Sequence, residues 1–262
     1  MSALVRELQQ AIRRMARSPA LAMAAILCTA LGVGVVSAGW IAVDAVLLRP
    51  LSYVDPDRLV VLWERALDGS AERIVVSPAN FGDWRERTVQ RGQRGSFERL
   101  AAFNVWFPGL TGVERPEKLL GAMVSADFFP VLGARPLLGR TLLPEDDRPG
   151  AAPVVVLGHG LWRSRFGGDR EVLGRAIELD GVPHTVVGVM PEGFRHPEPL
   201  YLDETTALWK PLALDTSEPA RAQRFLRVVG KLPPGVPLSR AQAEMDEVAR
   251  RLAREHPAEN EG

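Results

Sequence analysis

One cysteine, two tyrosines and four histidines among 262 residues leave several chemistries without reagents. The single Cys28 excludes an internal disulfide framework and any cysteine-rich zinc site. It sits in an apolar run, where a thiol serves as a small hydrophobe rather than a nucleophile. Net charge is also missing, because 32 Lys and Arg balance 32 Asp and Glu. Binding to phosphate backbones needs clustered basic surface, so nucleic acid is not an expected partner. Low-complexity tracts and internal repeats are absent as well. What remains, 46% hydrophobic and 24% charged, is the composition of an ordinary folded protein.

Catalytic signatures are equally scarce. Gly230-Lys231 is followed by Leu232 and lacks the upstream glycine of a phosphate-cradling loop. No HExxH, GxSxG or GxGxxG occurs. His159 and Ser164 fall on one predicted helix, but nothing supplies the third, orienting group of a triad. Glu145-Asp146-Asp147 lies between Pro144 and Pro149 without cation-ligand spacing, and reads as a solvated acidic turn. Trp63, Trp84, Trp106, Trp162 and Trp209 are spread through the chain and read as packing residues rather than a stacking platform. The expectation is a chain with no catalytic residue, no cofactor and no metal: not an enzyme.

One long uncharged run is present. Ala20 to Val43 (ALAMAAILCTALGVGVVSAGWIAV) holds 24 residues without a charge. About 20 such residues at 1.5 Å rise span a hydrocarbon core of about 30 Å, which predicts a transmembrane helix. Arg6, Arg13, Arg14 and Arg17 precede it against Glu7 alone, whereas Asp44 and Arg49 follow it. Positive charge stays on the cytoplasmic side, which predicts an N-terminus inside and everything after residue 43 outside, in the periplasm. A cleaved signal peptide with Val36-Ser37-Ala38 at its cleavage site is the rival, although the run exceeds the length of a signal h-region. Ala30, Gly34 and Ala38 repeat every four residues, a small-residue face on which another membrane helix could pack. Ahead of the span, Leu4, Leu8, Ile12 and Met15 form an apolar stripe beside the arginines. Residues 1–19 therefore read as a basic amphipathic helix at the inner membrane surface, in contact with lipid.

Residues 50–256 read as a soluble domain, with 257–262 as a short tail. Leu59 to Trp63 and Arg73 to Val76 are strand candidates, and Asn80 to Arg87 begins a helix. A short helix is predicted over Ser125 to Leu132, with Ser125 as N-cap and Asp127 in its first turn. Val154 to Leu157 reads as a fully buried strand, followed by a helix from His159 to Phe166 that stops at Gly167-Gly168. Ala176 to Leu179, Asp180-Gly181 and Val182 to Val189 predict a hairpin, because that turn needs positive φ at both central residues. Phe225 to Leu232 is another strand. Ser239 with Gln242 suggests a capping box for a last helix, whose core stripe is Ala241, Met245, Val248 and Leu252 and which ends at His256-Pro257. Short elements with hairpins indicate an α+β fold rather than a doubly wound parallel sheet. Pro191 to Pro199 marks an exposed loop or a subdomain boundary.

The motifs in order resemble a known family over essentially the whole chain. They begin with Arg13-Arg14, Arg17-Ser18-Pro19, Ala30-Leu31-Gly32-Val33-Gly34 and Val43 to Leu51, then Asp55 to Val60 and Asp83-Trp84-Arg85. Ser125 to Phe129 with Gly133, Gly139-Arg140, Gly160-Leu161-Trp162 and Arg165 to Gly168 continue the series, which closes with Gly174 to Pro191 and Pro233 to Val236. The chain resembles the MacB/FtsX-like permeases of ABC transporters, in particular the tandem-duplicated acidobacterial type. That resemblance implies a mixed α/β periplasmic core domain in two subdomains, inserted after the first transmembrane helix of a cell inner membrane protein. It also implies an ABC ATPase partner, further permease helices or a second permease copy, and a domain that transmits ATPase-driven motion to substrates outside. The family continues beyond the point where this chain stops, so the ATPase-contacting segment is expected elsewhere. An anchored periplasmic binding or interaction module is the alternative reading, and a tethered hydrolase a distant third.

Overall fold

The structure is a computed structural model, and it describes residues 23, 27–34, 53–65, 73–89, 95–112, 116–197, 205–217 and 221–257. The chain divides into two units, residues 1–51 and 52–262. In the first, residues 27–34 are helical, and Leu27, Leu31 and Val33 are exposed. Among the described residues no helix is long and apolar enough to cross a membrane. The rest of the predicted span, Ala38 included, and the amphipathic segment 1–19 lie outside the described residues.

The second unit is built on one mixed sheet. Its strands are β1 (Leu59–Leu62), β2 (Arg99–Trp106), β3 (Gly109–Thr111), β4 (Glu117–Lys118), β5 (Gly121–Val124), β6 (Leu138–Gly139), β7 (Val154–Leu157), β8 (Ala176–Leu179), β9 (Val182–Val189), β10 (Leu208–Pro211) and β11 (Arg227–Lys231). They run side by side in the order β1-β11-β2-β5-β10-β7-β9-β8-β3-β4, with β6 paired to β9. β5 with β10 and β7 with β9 are parallel; the other pairs are antiparallel. The helices are α1 (Pro78–Thr88), α2 (Phe128–Leu132), α3 (His159–Phe166) and α4 (Leu238–Glu255).

Alternation along the central strands explains the packing. In β2, Ala101 and Phe103 join one apolar cluster while Leu100 and Ala102 join another. In β7, Val154 and Val156 belong to the first cluster, and Val155 and Leu157 to a third. Successive strand residues point to opposite faces, so both strands are covered on both sides and read as unbroken apolar runs. The first cluster spans the middle of one face under α2; the second lies under α1 and α4; the third lies under α3. Three apolar cores thus sit on one continuous sheet, and residues 52–262 form a single compact unit.

Local chemistry set several elements as expected. Asp180 (φ 52) and Gly181 (φ 78) make the β8–β9 turn, and α3 stops at Gly167. The hydroxyl of Ser77 accepts from the Asn80 N–H at 3.2 Å and Pro78 occupies the first turn, so α1 begins two residues before the expected Asn80. Two caps differ from expectation. Ser125 does not cap α2: its hydroxyl accepts from the Ala102 N–H of β2 at 3.0 Å, and Asp127 takes the N-cap position. Ser239 lies inside α4, which starts at Leu238 with Pro237 at the N-cap and no side-chain cap. Gln242 instead bonds Asp246 one turn on, at 2.9 Å. Proline at 237, with φ fixed near helical values, starts the helix earlier than the serine.

Candidate functional site

Among the described residues strand β1 is an edge of the sheet, paired only to β11. The Arg58 carbonyl accepts from the Leu232 N–H at 2.9 Å, and antiparallel alternation then turns the backbone of Val60 and Leu62 toward β11 as well. Leu59, Val61 and Trp63 present theirs to the open edge. Between this edge and α4 lies a groove of about 640 Å³, lined by Val61, Trp63, Ile74, Leu238, Met245 and Asp246 among others. Val61 is 51% exposed and Leu238 60%.

A chain of charged side chains runs behind the groove. Glu64 accepts from Arg224 Nε at 2.7 Å, from Asn80 Nδ2 at 2.8 Å and from the Ser77 N–H at 3.1 Å. Arg221, whose side chain is 3% exposed, donates to Asn80 Oδ1 at 2.6 Å and to Asp83 Oδ2 at 2.9 Å. Arg87 meets Asp83 at 3.4 Å and Glu255 at 2.7 Å. This network links the end of β1, all of α1 and the last turn of α4. A buried guanidinium is tolerated only with such partners, and losing one strands the others. Directly bonded partners in it lie up to 168 residues apart in sequence.

The first residues of the unit are fastened as firmly. Tyr53 OH donates to the Arg195 carbonyl at 2.9 Å, and burial pushes its phenol well above the ordinary value despite the nearby Arg195 charge. The Val54 N–H donates to Leu132 O at 3.1 Å, and its carbonyl accepts from Lys231 Nζ at 3.2 Å. Arg58 Nε donates to the Leu232 carbonyl at 2.7 Å and its guanidinium pairs with Asp55 and Glu98. At the other end, Ala241, Val248 and Leu252 of α4 are buried as expected and Met245 packs partly against them. Both ends of the unit are therefore tied into its core.

The residues singled out from the sequence do not converge. Ala30 and Gly34 lie on the helical, exposed stretch 27–34, as does Cys28, whose thiol is free; Ala38 lies outside the described residues. His159 packs against Trp162 with ring centroids 5.4 Å apart, and the Ser164 hydroxyl bonds the Leu161 carbonyl within the same helix. Trp84, Trp162 and Trp209 are buried, in keeping with packing roles. The acidic turn is only partly solvated: Glu145 is exposed as expected, whereas Asp146 and Asp147 are half-buried. Asp147 is enclosed, accepting from the N–H groups of Ala126 at 2.9 Å and Ala213 at 2.7 Å; burial raises its pKa in spite of these bonds. Asp146 accepts from Arg140 Nη2 at 3.0 Å and the Leu143 N–H at 2.8 Å. Asp147 thus pins two loops through backbone donors far away in sequence, whereas Asp146 closes its own turn. Among the described residues no group of His, Cys, Asp and Glu could hold a metal ion.

A family model described as the MacB-like periplasmic core domain matches residues 22–248. The chain belongs to this family. Its fold is also that of solved relatives. The periplasmic region of MacB from Actinobacillus actinomycetemcomitans aligns with TM-score 0.55 at 15% identity, over 81% of this chain and 90% of that one. The extracellular domain of the noncanonic ABC-type transporter YknZ from Gram-positive bacteria aligns with TM-score 0.54 at 14% identity, over 76% and 95%. No curated protein matches the chain significantly in sequence. The sequence resemblance to MacB/FtsX-like ABC permeases is thereby supported independently, and the chain is the periplasmic-domain part of a membrane transport protein.

Proposed function

We propose that this chain is a non-catalytic part of an ABC-type permease whose periplasmic domain transmits ATPase-driven motion to substrates or partners outside the inner membrane. The family match over residues 22–248 carries the reading. Residues 20–43 form the anchoring transmembrane helix, with residues 1–19 against the inner lipid surface and the N-terminus cytoplasmic. Ala30, Gly34 and Ala38 offer the face on which further permease helices, or a second permease copy, pack. An ABC ATPase acts through those helices.

The geometry supports a mechanical role. A transmitter must be stiff and must be held at the points where force enters. Tyr53, Val54 and Arg58 fasten one end of the domain to strand β11 and to the loops at Leu132 and Arg195, and Glu255 fastens the other end to α1. The test is a cysteine at Val61, in the exposed groove edge, in the complex purified with its ATPase. Its rate of labelling should change between ATP-bound and nucleotide-free states. A flexible six-residue Gly-Ser insertion after Pro50 should abolish that change while leaving the domain's melting temperature intact. A labelling rate indifferent to ATP in the uninterrupted complex would count against transmission. It would leave the second reading, an anchored periplasmic interaction module, favoured by the open β1 edge and the groove of mixed polar and apolar lining beside it.

A further inference from the structure

A second pocket, remote in sequence from the β1 groove, holds an ammonium with no anion in hydrogen-bond contact. It has a volume of about 300 Å³ and is lined by Trp106 at the end of β2, by Leu179, Val182 and His184 of the β8–β9 hairpin, and by Lys210 and Pro211 of β10; Asp146, Arg148 and Asp180 add charges of both signs, and Asp146 is paired with Arg140. Lys210 Nζ stands 4.1 Å from the centroid of the Trp106 ring. Among the described residues it has no hydrogen-bond or ion-pair partner, and burial lowers its pKa. Asp180 acts on it electrostatically but is not bonded to it, and its Oδ1 accepts from the Gly109 N–H at 2.8 Å. A half-buried ammonium resting on an aromatic face gains something from the ring quadrupole, but less than from a carboxylate hydrogen-bonded in the same dry setting.

His184 supplies the complementary group. It is 6% exposed, with its ring centroid 6.1 Å from that of Trp106. Its Nδ1 lies 2.9 Å from the Val182 carbonyl. A carbonyl only accepts, so Nδ1 carries the proton and Nε2 presents a lone pair. Burial, with the Lys210 charge beside it, holds the ring neutral although Val182 and Asp180 pull the other way. One side of the pocket therefore offers a cation with no anion in hydrogen-bond contact, and another an acceptor without a donor.

We propose that the Trp106–His184–Lys210 pocket binds a carboxylate that carries an adjacent N–H, the pairing found at the C-terminus of a peptide. Lys210 takes the carboxylate, His184 Nε2 accepts from the amide N–H, and Leu179, Val182 and Pro211 give the terminal side chain an apolar wall. A volume of this size suits one or two residues rather than a folded partner. Specificity then rests on matched polar groups, since a ligand lacking either one leaves a buried partner unsatisfied.

Calorimetry on the full chain in detergent tests this with three probes: N-acetyl-trialanine as the free acid, the same peptide as its C-terminal amide, and sodium acetate. The acid should bind saturably, and the amide and acetate at least tenfold more weakly. Lys210→Met should weaken the acid at least tenfold, and His184→Phe should bring the acid down to the level of acetate. Titration of the wild-type chain, followed at the Trp106 indole N–H resonance, gives a readout that does not depend on any variant folding. Absence of saturable binding, equal binding of acid and amide, or an unmoved Trp106 resonance would overturn the proposal. Acid and acetate binding alike would overturn its donor half and leave a simple anion site.

Discussion

At one end of the sheet, β7, α3, β8 and β9 come from a single stretch, residues 154–189, and hold together through contiguous apolar strands. At the other end, β1 and α1 come from the first part of the domain, and β11 and α4 from the last. There the joining is by long-range charges, Arg224 to Glu64 and Arg87 to Glu255, as well as by apolar packing. The first end is built mainly from that one stretch, with β3 and β4 added at its edge and β6 on β9. The second is made where the two termini of the domain meet. Under the proposed transmitter role, force from the membrane would enter at the second end.

Four substitutions sharpen this contrast. The largest effect is expected in the local module, at Gly188, where an added Cβ would lie 2.0 Å from the Arg140 carbonyl oxygen. Gly188→Ala forces backbone apart and should cost about 3 kcal/mol or more, read as a fall in the urea midpoint. A midpoint within error of wild type would show that β6 and β9 are not held as described. Next comes Arg221→Met in the long-range network, expected at about 2 kcal/mol because Asp83 keeps Arg87 but loses its buried partner. Adding Asp83→Asn to that variant should recover part of the loss. Additive losses would argue that the two side chains do not act together.

A smaller effect carries a pH signature. Burial raises the Asp146 pKa, but the Arg140 and Leu143 hydrogen bonds lower it further, and its folded value falls below the ordinary 3.8. A depressed carboxylate contributes stability that is present above the ordinary value and lost as pH falls through the folded one. Asp146→Asn should therefore cost about 1 kcal/mol at neutral pH. Its melting curve should converge on wild type in acid below that folded value. A deficit that stays constant with pH would assign the effect to shape instead of charge. The smallest effect is Gln242→Ala. With no capping box formed, the change in stability should stay within about 0.5 kcal/mol. A loss of about 1 kcal/mol or more would restore the cap that the sequence suggested.

The same contrast decides what could be read from the residues. The β7–α3 strand and helix and the β8–β9 hairpin were legible because turn residues at Gly167 and Asp180-Gly181 act within a few positions. The strand order was not, since nothing in Val228-Val229 says that they lie between β1 and β2. Ser125 and Ser239 looked like caps, yet a hydroxyl bonds whichever donor the tertiary fold brings, and Ser125 found Ala102. Asp147 looked exposed among prolines and charges but is enclosed by backbone donors from two distant loops. The charge network and the Lys210 pocket were equally invisible, for their members are assembled from separate elements. Composition and spacing nonetheless excluded the familiar catalytic constellations, and the ordered motifs led to the right family.

Sidedness tests the account most directly. In a Cys28→Ser background, single cysteines at Glu247, on the exposed face of α4, and at Arg13 should be offered a membrane-impermeant maleimide in intact cells with permeabilised outer membranes. The account predicts rapid labelling at position 247, none at position 13 until the inner membrane is broken, and both in the membrane fraction. Protection of position 247 in intact cells, or recovery of the labelled chain in the soluble fraction, would contradict it.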